Sequence, residues 1–136
     1  MMKGFVGVFE MRKMNSLHIE IAKVLIDCSS RQQTICYEEL CEKVHYPSPH
    51  AIGRELGILS EFTYEHYGVF ISVLVVLKET LNSDNPIPSS GFFTMYADIC
   101  GKPKTDIDIV QDQREKAFQQ DWSNLIDDIR ASIRHQ

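Results

Sequence analysis

No hydrophobic run in this sequence approaches the ~18 apolar residues that a membrane span requires. The best stretch, "GVFISVLVVL", is about half that length and reads as a buried strand. A spanning helix is therefore excluded, and no membrane partner is expected. The first residues, "MMKGFVGVFEMRKMNS", lack both a long apolar core and a small-residue cleavage site, so a cytoplasmic protein is expected. Cysteine is sparse and irregular: Cys28, Cys36, Cys41 and Cys100 form no CxxC. His45 and His50 flank "YPSP", but no second ligand pair follows, so no metal site is expected and the thiols read as free and buried. Proline and glycine are few, with no low-complexity tract and no internal repeat.

Positive charge is also short. The net charge is −5, and the segment of residues 1–14 is the only one with a positive balance. The broad basic surface typical of nucleic-acid binders is thus missing at the level of sequence. Catalytic signatures are absent too: no GxSxG, no phosphate-binding glycine loop, no HExxH and no nuclease-like carboxylate pair. A non-enzymatic protein without cofactors is expected.

What remains is an ordinary globular composition, 43% hydrophobic and 24% charged, in a chain long enough for one self-supporting domain. Residues 1–14 read as an N-terminal tip, flexible or a short strand. From Asn15 or Ser16, which can cap, Leu17, Ile21, Val24, Leu25 and Cys28 recur at helical spacing. A second helix is expected in "TICYEELCEKV", with Thr34 as cap and Leu40, Cys41 and Val44 facing inward. "HYPSP" breaks it, because each proline disfavours helical geometry in the residue before it. Ser48 can cap a third helix, residues 49–59, with Ile52, Leu56 and Leu59 buried; Gly53 within it suggests close approach of a neighbouring helix. "VFISVLVVLK" reads as the strongest strand, "ETLNSDNPIPSS" as a polar loop and "GFFTMYADI" as a returning strand. The expected fold class is α+β, mainly α. It is a winged helix-turn-helix over residues 15–103 with a small antiparallel hairpin, followed by a long amphipathic helix over residues 104–136.

The stretch "TICYEELCEKVHYPSPHAIGRELG" resembles the C-terminal domain of DNA alkyltransferases and alkyltransferase-like proteins. Tyr37, Glu39 and Leu40 match the family's T-Y-G-E-L-A segment in outline, and Ala51, Ile52 and Gly53 match its R-A-V-G segment. The likeness covers about 25 residues. It implies a helix-turn-helix and a DNA-facing third helix. The family's intercalating arginine falls on His50, and its acceptor motif P-C-H-R is absent, so alkyl transfer is not expected. Residues 34–93 are also similar to winged-helix modules of poorly characterised bacterial proteins, some linked to restriction and phage defence.

Six residues are candidates for DNA contact. Tyr37 begins the second helix; its alternative role is a packed ring with a wet hydroxyl. Ser48, His50 and Arg54 would face a major groove if the third helix docks as recognition helices do, and otherwise form a solvated face. Lys78 and Ser83 would reach phosphates from a wing loop spanning residues 79–91, against the opposing Glu79 and Asp84. Two functions follow: binding of duplex DNA, or a protein-interaction module within a larger, defence-related assembly. The stripe Phe118, Trp122, Leu125 and Ile129 reads as core, or as a homodimer seam.

Overall fold

The computed structural model describes residues 13–136. The expected tip, residues 1–14, lies almost wholly outside the described residues. Six α-helices are present among them: α1 (Ser16–Ser30), α2 (Tyr37–Val44), α3 (Ile52–Tyr67), α4 (Ser90–Cys100), α5 (Asp106–Gln119) and α6 (Leu125–Arg134). Two strands of two residues each, β1 (Ile35–Cys36) and β2 (Val75–Val76), complete the architecture. The α+β, mainly α class holds, and no helix among the described residues is long and apolar enough to cross a membrane.

α1 starts where its cap dictates. The Asn15 side chain accepts from the Leu17 N–H at 2.9 Å, and His18 closes the box by accepting from the Asn15 N–H at 2.9 Å. Ile21, Ala22 and Leu25 are fully buried, and α1 packs on α2, α3, α5 and α6. α2 begins at Tyr37 after the extended Cys36, with no side-chain cap, so Thr34 does not play the expected role. α2 ends at His45, which adopts a left-handed conformation (φ 59°). Ser48 then shapes the turn: its carbonyl accepts from Ala51 and Ile52, and its Oγ from Ala51. α3 consequently opens at Ile52 and runs on to Tyr67, longer than residues 49–59 and absorbing the expected connection "SEFTYEHYG". Gly68, at φ 75°, stops it.

The antiparallel hairpin is corrected. β1 pairs with β2 in parallel, Ile35 opposite Val75 and Cys36 opposite Val76. Of the expected strand only Val75–Val76 is one; Ile71–Leu74 form a 3₁₀ turn folded into the core, where Val69–Val76 are all buried. A fully buried apolar run satisfies a short helical turn as readily as a strand. The expected return strand is α4 instead. In a helix, Phe92 and Tyr96 stand one turn apart on one face, and both rings reach Phe70, at centroid distances of 6.1 and 5.6 Å. The loop between them is not a free wing. Ile87 accepts from Leu77 N–H at 2.7 Å, the Ile87 N–H donates to Thr80 Oγ1 at 3.0 Å, and Gln111 on α5 donates to Asn85 at 3.0 Å.

The single C-terminal helix is also corrected. α5 ends at Gln120, which turns extended, and Asp121 Oδ1 accepts from the Ser123 N–H at 2.9 Å before α6 begins. The break lets Trp122, Leu125 and Ile129 all enter the core. Trp122 Nε1 donates back to Ala117 O at 2.9 Å, and Tyr67 meets the Trp122 ring edge-on at 5.3 Å. Three of the stripe's four residues are buried inside the chain, as the core reading expects, and Phe118 alone stays partly exposed.

Candidate nucleic-acid interface

The starts of α2, α3 and α4 converge. Tyr37 and Glu38 from α2, Pro49, His50 and Gly53 from the start of α3, and Ser89, the N-cap residue of α4, line one open cleft of about 390 Å³. Leu77, Lys78 and Glu79 close its remaining side. None of the three helices has a side-chain cap at its N-cap residue. The N-terminus of a helix carries roughly half a positive charge, which adds to what the side chains supply, although at α3 the N–H groups of Ala51 and Ile52 are already taken by Ser48. The charged side chains there do not add up to a positive field: Lys78 stands against Glu38 and Glu79.

Tyr37 joins two walls of the cleft. Its hydroxyl accepts from the Ser89 N–H at 2.9 Å and donates to Ser89 Oγ at 3.1 Å. Both bonds engage the hydroxyl within the chain, on a residue that is half-buried. The hydroxyl fixes the loop that delivers α4.

A second, narrower slot of about 100 Å³ adjoins the cleft, and Tyr37, Gly53 and Ser89 line both. Leu56, Phe92 and Met95 make its apolar walls, with Gly57, Gly91 and Ser72 between them. Gly53 and Gly57 sit one turn apart on α3. A Cβ added to either would meet nothing within 4 Å. The expected close approach of a helix to Gly53 is thus absent, and the two glycines border open space. Each lowers helix stability by about 1 kcal/mol relative to alanine.

Of the six candidates, the fold brings Tyr37, His50 and Lys78 to one cleft. Arg54 is exposed beside Gly53 and makes no ion pair among the described residues. Ser48 is occupied in the turn before α3. Ser83 lies in the exposed loop, its hydroxyl donating to Thr80 O at 2.7 Å, and it lines neither cavity. Ser89 and Gly57 were not legible as site residues. The run "PIPSSGFF" carries a helix-start signal, serine before an apolar stretch, that marks Ser89 in hindsight.

No cysteine lines either cavity. Burial pushes the thiols of Cys28 and Cys41 above their ordinary range, away from the nucleophilic thiolate. Comparison with protein-family models, curated proteins and solved structures finds no match to the chain.

Proposed function

We propose that this protein binds duplex DNA without chemically altering it, through the N-terminal end of α3 and the cleft beside it. The observation that carries this reading is the gathering of three helix starts and Lys78 around one cleft, next to an exposed Arg54 that makes no ion pair among the described residues. Helix N-termini hold phosphate through backbone N–H groups, which gives an acidic protein a way to grip DNA with few lysines. The loop of residues 79–91 serves as a wall of the site, not as a wing.

The slot extends the reading. Its apolar walls and its glycine-smooth face along α3 suit a flat ring, and Ser89 supplies a hydroxyl at the mouth. A base lifted out of the duplex stack is such a ring. On this reading the resemblance to alkyltransferase-like chains is one of binding without transfer, supported by the absence of any cysteine from the cavity walls.

The test is binding of mixed-sequence duplex by fluorescence anisotropy at two salt concentrations. With Arg54 and Lys78 as the nearby permanent cations, log affinity should fall with log salt at a slope of about −2. A duplex carrying 2-aminopurine should brighten on binding as that base leaves the stack. No binding at low salt ends the DNA reading.

A second reading, docking of a protein partner on the same face, is favoured by Glu38 and Glu79 at the rim of the cleft. Those carboxylates repel phosphate and would attract a basic peptide.

A further inference from the structure

His18 is fully buried, yet it lies outside the cleft and belongs to neither function above. Its ring makes two hydrogen bonds in opposite directions. Nδ1 accepts from the Asn15 N–H at 2.9 Å, so that nitrogen keeps its lone pair. The ring proton is then on Nε2, which donates to Glu55 Oε1 at 3.0 Å. One neutral imidazole thereby closes the cap of α1 and grips the first turn of α3, 37 residues further along the chain.

Glu55 follows Arg54 directly and lies two residues after Gly53. Holding its carboxylate fixes the turn that presents Arg54 and His50. The alternative partner for Arg54, a pairing with Glu55, is thereby forestalled, because that carboxylate is turned toward His18 with its side chain only 17% exposed.

We infer that His18 is a positioning residue for α3 and that its protonation is a conformational switch joining the α1 cap to the candidate DNA-facing turn. A second ring proton must go on Nδ1, where it would face the Asn15 N–H donor to donor. That bond breaks, the α1 cap loses its His18 half while Asn15 Oδ1 keeps the Leu17 N–H, and the Nε2–Glu55 contact becomes an ion pair at the first turn of α3. Burial opposes this charge and Glu55 favours it; burial prevails, so the ring resists protonation below its ordinary 6.5. Among the described residues, Glu55 of α3 is the charged group that touches the ring.

The consequence for DNA rests on the function proposed above, whereas the coupling between α1 and α3 does not. The experiment therefore reads the coupling first, on the free full-length protein, by ¹H–¹⁵N NMR from about pH 7.5 to about pH 5. The expected result is an Nε2–H tautomer at neutral pH. On acidification the Asn15 amide and the amides of Gly53–Leu56 should shift together, with the midpoint of the His18 ring. His18→Gln keeps a donor and an acceptor and suits this cap position, but cannot be charged; it should remove that shared transition. An Nδ1–H tautomer overturns the inference, as does a His18 titration that leaves either Asn15 or Gly53–Leu56 unmoved, or the same transition persisting in His18→Gln. DNA affinity is then measured across the same range. Loss of affinity on the acid side in the wild type and a flat profile in His18→Gln extend the switch to binding. Equal profiles in both confine it to the free protein and overturn its role in presenting Arg54.

Discussion

Tyr37 and Ser89, 52 residues apart, hold each other by two hydrogen bonds: the Tyr37 hydroxyl accepts from the Ser89 N–H and donates to the Ser89 hydroxyl. One phenol thus fixes the start of α2 against the start of α4. Removing it leaves a half-buried backbone N–H without its acceptor, which costs about 1–3 kcal/mol. Tyr37→Phe should therefore lower the midpoint of urea unfolding. An unchanged midpoint would mean that the hydroxyl is free for another role, such as a phosphate contact.

The two glycines of α3 make a paired prediction. Gly57→Ala adds a Cβ into open space in a helix interior, so it should raise stability by about 0.5–1 kcal/mol. Gly57→Leu should fill the slot while the far-ultraviolet circular dichroism stays native. In the 2-aminopurine assay the leucine variant should bind duplex with little brightening. Full brightening would place the unstacked base elsewhere.

Arg54 is exposed and unpaired among the described residues, so its loss should change unfolding stability by no more than about 0.5 kcal/mol. If it reads a base, Arg54→Ala should weaken DNA binding by about 1–3 kcal/mol and alter sequence preference. A uniform loss across sequences, with a salt slope shallower by about one, would assign it to a phosphate.

Stability should rise with pH through the acid side of neutrality. The folded ring of His18 resists protonation, so the unfolded chain binds more protons between the folded value and the ordinary 6.5. The resulting stability is fully present above 6.5 and is lost as pH falls through the folded value. Urea midpoints measured at about pH 5 and about pH 7 should differ in that direction, and His18→Gln should narrow the difference.

Trp122 seals the junction between α5 and α6, buried to 4% exposure and bonded to Ala117 O. Trp122→Ala should cost about 3–5 kcal/mol, a large share of what a domain of this size possesses. The chain should run as a monomer by light scattering, since this stripe faces its own core. A stable dimer that dissociates in Trp122→Ala would reverse that assignment.

Helices α1, α2 and α3 were legible because apolar residues recur at helical spacing and two prolines separate the last two; the polar cap itself holds only at α1. The segment from Val69 to Val76 was misread because burial on every side erases periodicity, leaving β-branched residues to suggest a strand. α4 was misread for a related reason: Phe92, Phe93 and Tyr96 favour strands intrinsically, and tertiary contact with Phe70 overrode them. Tyr37, His50 and Lys78 emerged from the residue types as separate candidates. Ser89 and the glycine-lined slot did not, because they depend on where α4 docks. His18 was overlooked because a histidine three residues after an asparagine is not the glutamate or glutamine usually read as a capping partner.

The parallel pairing of Ile35 with Val75 and Cys36 with Val76 is small, but it ties off a ring of chain that contains the whole of α2 and α3. The two ends of that ring meet only when residues far apart in sequence have found one another. Closing a loop of that size is an entropic barrier met before its contacts reward it, which slows folding relative to a simple bundle of neighbouring helices. The same knot of four residues gives the ring a natural opening. A new pair of termini placed in the exposed turn between α2 and α3 would leave the tie intact and turn the ring into two arms held at their base.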